Sequence, residues 1–176
     1  GQINISNSLF PEFSSVDLEL LYDDSRELKP GHSFVYTIQS DGDSRFDVTL
    51  VWNDLEGSAV ANQSSPKLMN DLDLKITSPS GLVYYGNNFA NGNSVPSTIA
   101  DSLNNVERFR IDSTEIGIWS VEVGHAGGNL QDYAIVMSGE ISETILPDLT
   151  VFANSLSTSV ESPLQGDTFL IEAQWK

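Results

Sequence analysis

Apolar and polar side chains alternate along most of this chain with a period of two. A period of two places successive side chains on opposite faces of a β-strand, so each alternating run predicts a strand with one buried face. The runs begin with Val16, Leu18, Leu20 and Tyr22 and continue at 34–38, 46–53, 72–76, 82–85, 109–111, 119–123 and 133–137. Turn residues such as Pro30-Gly31 separate them. No stretch of about 12 residues keeps the helical period of 3.6.

About eight such strands predict an all-β protein in which two sheets pack face to face. Jelly-roll and immunoglobulin-like sandwiches both fit this pattern. We expect Tyr36, Trp52, Trp119 and Tyr133 in the core, because each lies on the apolar side of its strand.

The two ends of the chain differ from its middle. Residues 1–14 carry no alternation and predict a linker, whereas residues 15–143 predict the sandwich domain. Residues 144–176 contain two further alternating runs, which are too few to bury a core alone. This C-terminal extension either adds strands to the sandwich or opens a following domain.

Composition excludes several classes of function. The 176 residues include 25 acidic and 8 basic side chains, a formal net charge of −17, which argues against binding to nucleic acid or to an anionic membrane surface. Cysteine is absent, so neither a disulfide framework nor a thiolate metal site is expected. No apolar run approaches the ~20 residues of a membrane span. No signal peptide is visible either, which predicts a cytosolic protein or an internal piece of a longer one.

Local sequence also argues against a self-sufficient hydrolase. The chain has neither a Gly-x-Ser-x-Gly elbow nor a His-Glu-x-x-His motif. Its two histidines, His32 and His125, follow turn signals and are interpreted as solvated turn residues.

The strongest candidate for chemistry is rich in oxygen. Asp71 and Asp73 share one face of a predicted strand, where two carboxylates repel each other unless a cation lies between them. Nearby loops and a strand start offer further amide and carboxylate oxygens from Asn87, Asn88, Asn105 and Glu107. Hard oxygens of this kind suit Ca²⁺, but at this point a solvated acidic strand face with Asn turn residues is the more common explanation of such a pattern.

A second possibility is a carbohydrate- or surface-binding module. Tyr84, Tyr85 and Phe89 flank the Asn-rich loop and could form a platform on which sugar rings stack.

Five blocks of sequence resemble, in order and spacing, the C-terminal β-sandwich of large secreted subtilisin-like serine proteases. They are VWND at 51–54, NDLDLKITSPSG at 70–81, YGNNF at 85–89, NNVE at 104–107 and GIWSVEV at 117–123. The resemblance covers roughly residues 16–142, and residues 1–9 are similar to the segment that follows the catalytic domain in that family. The Gly-Thr-Ser-Met and Asn-His-Gly-Thr segments of the protease itself do not occur.

The resemblance implies a jelly roll, similar to P domains and galactose-binding-like modules, that commonly holds calcium. By position, the implied Ca²⁺ ligands are Asp71, Asp73, Asn87, Asn88, Asn105 and Glu107. The implied function is that of a non-catalytic accessory domain of a secreted endopeptidase, with the catalytic domain as its partner in cis and protein substrates as further partners. From Pro147 the tail is similar to the first strands of bacterial adhesion-type immunoglobulin-like domains.

Overall fold

A computed structural model of the chain describes residues 19–42, 44–57 and 68–144, and every regular element in these ranges is a β-strand. The strands are β1 (Glu19–Leu28), β2 (Ser33–Ser40), β3 (Phe46–Val51), β4 (Asp71–Thr77), β5 (Val83–Tyr85), β6 (Phe89–Ala90), β7 (Asn93–Ser94), β8 (Val106–Ile111), β9 (Gly117–Gly127), β10 (Gln131–Gly139) and β11 (Ile141–Glu143). Among the described residues, no helix has the length and apolar character needed to cross a membrane. The predicted linker and C-terminal extension lie outside the described residues, apart from Thr144.

The strands form two main antiparallel sheets and one small hairpin. A four-stranded sheet has the order β1-β10-β3-β8, a five-stranded sheet has the order β11-β2-β9-β4-β5, and β6 pairs with β7. The predicted all-β sandwich is therefore confirmed. Consecutive strands β1 to β4 alternate between the two sheets, and this order is compatible with a jelly roll.

Aromatic side chains fill the space between the sheets. Phe46, Phe109 and Trp119 are almost completely buried, and the ring of Phe46 meets the other two edge to face at centroid distances of 5.6 and 5.7 Å. The four aromatic residues predicted for the core are all buried. The alternation therefore predicts the correct buried face in the central strands.

The first strand has the opposite phase to the one that the sequence predicts. Tyr22 is 72% exposed and lies opposite Val136 on the outer face, while Leu21 packs against the core. Leu20 and Leu21 are adjacent, so the local pattern fits either phase, and pairing with β10 selects the one that buries Leu21.

A β-bulge in β1 places a carboxylate in a compact hydrogen-bond network. Asp23 accepts hydrogen bonds from the backbone N–H and the hydroxyl of Ser25, from Arg26 Nε at 2.5 Å and from the Tyr36 hydroxyl at 3.0 Å. The hydroxyl oxygens of Tyr36 and Tyr133 are 3.0 Å apart. Burial opposes ionisation of Asp23, but the hydrogen bonds from Ser25, Tyr36 and Arg26 prevail and lower its pKa to about 2.

We expect Asp23→Asn to lower the free energy of unfolding by about 1–2 kcal/mol at neutral pH. The shift from 3.8 to about 2 corresponds to at most about 2.4 kcal/mol, and solvent screening reduces it. Because the folded-state pKa is depressed, this stabilisation is present above about pH 4 and is lost as the pH falls towards about 2.

Urea unfolding of both proteins across this pH range measures the difference. Asp24→Asn, which removes the neighbouring carboxylate, is the matched control. The prediction is contradicted if the difference in free energy of unfolding between Asp23→Asn and the unsubstituted protein stays constant down to pH ~2.

Candidate metal centre

Strand β4 carries two carboxylates on its outer face, as the alternation predicts. Asp71 and Asp73 are partly exposed, whereas Leu72 and Leu74 between and after them are fully buried. One carboxylate oxygen of Asp71, Oδ1, is buried without a hydrogen-bond partner. The Asp71 side chain therefore has a free acceptor in a poorly solvated place.

Glu107 is the most unusual carboxylate of the described residues, because its side chain has no exposed surface. It lies on the same face of β8 as Phe109, as predicted. Its Oε2 accepts a hydrogen bond from the backbone N–H of Leu74 at 2.7 Å, while Oε1 is buried with no partner. An unpaired buried oxygen costs free energy unless another group or an ion satisfies it.

The strand ladder explains why Glu107 reaches β4. Strand β5 pairs with β4 only from Lys75 to Thr77, so the N–H of Leu74 lies just beyond the ladder. Glu107 supplies the missing acceptor. Gly86 donates its N–H to the Leu74 carbonyl at 2.9 Å and lies so close to Glu107 that a Cβ at this position would overlap its carboxylate.

Asp101 is a fourth carboxylate that the sequence prediction missed. It accepts hydrogen bonds from the side-chain amides of Asn87 at 2.6 Å and Asn104 at 2.7 Å, and from the backbone N–H of Leu103 at 2.9 Å. The last bond, from two residues onward, is typical of an Asx turn. The turn can be recognised in the sequence. It lies far along the chain from β4, so the sequence alone does not show that Asp101 comes close to Asp71 and Asp73.

Electrostatic coupling joins these groups, which we call the acidic cluster: Asp71, Asp73, Asp101 and Glu107. Burial raises the pKa of Glu107 to about 9, the Leu74 hydrogen bond opposes this rise, and the charges of the other three carboxylates add to it. Burial, followed by the charges of Asp71 and Asp101, raises the pKa of Asp73 to about 6.

The two remaining members of the acidic cluster are shifted in opposite directions. The pKa of Asp71 is raised, first by burial and then by the charge of Asp101. Burial also acts to raise the pKa of Asp101, but hydrogen bonds from Asn87, Asn104 and Leu103 outweigh it, and the net shift is downward. Asp101 is therefore the best stabilised anion of the cluster, and its charge disfavours ionisation of the others.

The three predicted asparagines have different surroundings. Asn87, in a left-handed conformation with φ of 60°, bonds directly to Asp101. The side-chain amide of Asn88 instead donates to backbone carbonyls of the same loop, including that of Ile99 at 3.0 Å. Asn105 donates to the carbonyl of Trp52 at 3.0 Å. Within the described part of the chain, Asn87 is the one of the three that bonds to the acidic cluster.

The described carboxylates do not form a complete metal cage by themselves. No group of three or more His, Asp or Glu side chains in the described ranges is arranged to hold a metal ion. The unpartnered oxygens of Asp71 and Glu107 are nevertheless hard donors of the kind that Ca²⁺ prefers. A bound Ca²⁺ would need backbone, amide or water oxygens in addition.

A buried polar node fixes the start of β4. The side chain of Asn70 donates to Gln131 Oε1 and accepts from the N–H of Asn129, both at 2.6 Å, and its carbonyl accepts from the Trp52 indole at 3.0 Å. His125 was predicted to be solvated, but it is only 3% exposed. Its Nε2 lies 2.6 Å from the carbonyl of Asn129, the residue whose N–H bonds to Asn70.

The predicted sugar-stacking platform does not assemble. Tyr84 is buried in the core, where its ring meets Phe109 at a centroid distance of 5.2 Å. Tyr85 points to the opposite face of β5, and Phe89 lies in the separate β6–β7 hairpin. Tyr84 opposes Ile76 in the β4–β5 ladder, and this pairing directs its ring inward.

Comparison with known proteins gives a distant relation to a protease. The chain is 30% identical over 128 residues to the serine protease/ABC transporter B family protein tagA of Dictyostelium discoideum. The match covers 69% of this chain but 7% of that protein, so the chain spans far less than two thirds of its relative. No protein-family model matches the chain. The chain is thus an all-β sandwich with a distant relative that is named as a serine protease.

Proposed function

We propose that this chain is the non-catalytic accessory domain of a secreted subtilisin-like serine endopeptidase, and that Ca²⁺ bound at the acidic cluster stabilises it. The sandwich would support the folding and stability of the catalytic domain in cis and help to engage protein substrates. The protease name of the distant relative and the resemblance of the five sequence blocks support the association with a protease.

The observation that carries the calcium proposal is the buried, unpaired Oε1 of Glu107 beside three further carboxylates. Burying a carboxylate and surrounding it with like charges opposes folding. A divalent cation would reverse both costs, because it would supply the missing partner of Oε1 and neutralise the repulsion among the four groups. In the bound state the unpaired oxygens of Asp71 and Glu107 would be the first ligands, Asp73, Asp101 and Asn87 would contribute from the same region, and backbone or water oxygens would complete the coordination, because the described carboxylates alone are not arranged as a metal site.

The physical consequence is a linkage between calcium and stability. An ion that binds only the folded state adds RT ln(1 + [L]/Kd), about 2.7 kcal/mol at a hundredfold excess over Kd. For a chain of this size, that corresponds to a rise of about 5–10 °C in Tm.

We therefore expect the Tm of the full chain to rise by about 5–10 °C between a chelator and saturating Ca²⁺. Thermal unfolding followed by circular dichroism measures the rise. Asp73→Asn should reduce it by more than half, whereas Asp112→Asn, which changes an exposed carboxylate outside the acidic cluster, should leave it unchanged. Equal midpoints with calcium and with chelator reject the role of the ion.

A separate experiment tests the accessory role. The parent protease and a version without residues 15–143 are compared by their half-life at elevated temperature and by kcat/KM on a short peptide. The proposal expects a shorter half-life with little change in kcat/KM. Loss of peptide hydrolysis without loss of thermal stability contradicts a stabilising role.

A further inference from the structure

The outer face of the four-stranded sheet carries a row of exposed apolar side chains. Tyr22 pairs with Val136 across β1 and β10, and Ala134, Val51 and Val106 lie side by side across β10, β3 and β8. Directly paired residues share one face of a sheet. We call these five residues the apolar strip. Val51, Val106 and Val136 are 38, 44 and 41% exposed.

One end of the apolar strip opens into a cleft with two carboxylates at its margin. The cleft has a volume of about 480 Å³ and is lined by Val51, Ala134, Asn53, Asp24 and Asp132. Neither Asp24 nor Asp132 forms an ion pair with a described residue. The cleft therefore combines the apolar side chains of Val51 and Ala134 with two carboxylates that no described basic side chain neutralises.

The arginines on the same face are only partly neutralised by carboxylates. Arg45 and Arg108 both pair with Asp47, the latter at 3.0 Å, and Arg110 pairs with Asp112 at 3.1 Å. Arg45 and Arg108 share the single carboxylate of Asp47, so one positive charge remains at that end of the face, and the negative charge available to a ligand is that of the cleft.

We propose that the apolar strip and its acidic cleft bind an extended polypeptide segment of a partner protein in which basic and apolar side chains alternate. A basic side chain would enter the cleft between Asp24 and Asp132, and the apolar side chains would cover Val51, Val106 and Val136. A second copy of this chain is a poor occupant, because two chains of net charge −17 repel each other. None of the five residues of the apolar strip belongs to the acidic cluster.

Three synthetic peptides of equal length test the proposal with the full chain, one of alternating valine and lysine, one of serine and lysine, and one of valine and glutamate. The valine–lysine peptide should bind and shift the amide NMR signals of residues 20–24, 49–53 and 132–138. The serine–lysine peptide keeps the charge without the apolar side chains and should bind at least tenfold more weakly. The valine–glutamate peptide should not bind.

Matched double variants locate the site. Asp24→Asn with Asp132→Asn should weaken binding of the valine–lysine peptide about tenfold, whereas Asp41→Asn with Glu143→Gln changes the net charge equally and should have little effect. Tyr22→Ser with Val136→Ser should also weaken binding, in contrast to Val35→Ser with Ile118→Ser on the other sheet, where both side chains are also exposed. These substitutions are on the surface, and circular dichroism checks the fold of each variant.

Three outcomes overturn the proposal. The first is the absence of binding by the valine–lysine peptide. The second is equal binding of the two lysine peptides, or equal weakening by the two charge-matched pairs, because either indicates attraction to the overall negative charge. The third is a homodimer in sedimentation velocity that Tyr22→Ser with Val136→Ser dissociates, because the strip would then bind a second copy.

Discussion

Gly128→Ala is expected to lower the free energy of unfolding by at least about 3 kcal/mol. Gly128 has a φ of 121°, a conformation that costs a residue with a side chain about 1–3 kcal/mol. In addition, a Cβ at this position would overlap the backbone carbonyl of Met69 and the side chain of Asn70. Backbone cannot move aside as a flexible side chain can, so the buried node around Asn70 would have to open. Urea unfolding of the full chain measures the loss.

Two other glycines separate the contributions to this effect. Gly31 also has a positive φ, 79°, but nothing lies within 4 Å of its Cβ position, so Gly31→Ala should cost only about 1–2 kcal/mol. Gly124 has neither a positive φ nor a close neighbour, so Gly124→Ala should change the free energy of unfolding by no more than about 1 kcal/mol. If Gly128→Ala is no more destabilising than Gly31→Ala, the predicted overlap with Met69 and Asn70 is wrong.

The sequence predicts strand faces well where one apolar residue alternates with one polar residue. Asp71-Leu72-Asp73-Leu74 permits a single phase, and the structure confirms it. The prediction is wrong at the start of β1, where two leucines are adjacent. Leu20-Leu21 fits either phase, and the neighbouring strand decides between them through its own pairing. Tyr84-Tyr85 has the same ambiguity, which the pairing of Tyr84 with Ile76 resolves.

The acidic cluster could be predicted only in part for a related reason. Asp71 and Asp73 are neighbours in one strand, so their relation is local. Glu107, from the other sheet, comes close because its carboxyl group accepts the N–H of Leu74 just beyond the β4–β5 ladder, and Asp101 comes close because Asn87 anchors its loop. Contacts between residues far apart in the chain depend on the topology of both sheets, which the alternation of side chains does not specify. The residue types therefore predict which kind of ligand the site would bind, but they do not predict every residue that belongs to it.

The second large effect is expected at Glu107. Glu107→Ala removes the acceptor of the Leu74 N–H and leaves a buried donor unpaired, at a cost of about 1–3 kcal/mol. The space vacated by the carboxyl group adds a cavity cost. Because the pKa of Glu107 is raised to about 9, the group is uncharged at neutral pH without an ion and its removal relieves little repulsion, so we expect a net destabilisation of about 2–4 kcal/mol in the presence of a chelator.

Glu107→Gln separates the structural role of this side chain from binding of the ion. The glutamine carbonyl can still accept the Leu74 hydrogen bond, and its NH₂ group can donate toward the negative charge of Asp73 and Asp101. In chelator, the free energy of unfolding of this variant should therefore lie within about 1 kcal/mol of that of the unsubstituted protein. The same variant removes the buried anionic ligand and should lose most of the rise in Tm with Ca²⁺. Thermal unfolding of the glutamine and alanine variants, each with calcium and with chelator, measures both effects. A glutamine variant that keeps the full calcium-dependent rise would show that Glu107 only caps the strand ladder, because a residue that merely accepts the Leu74 hydrogen bond does not need a charge.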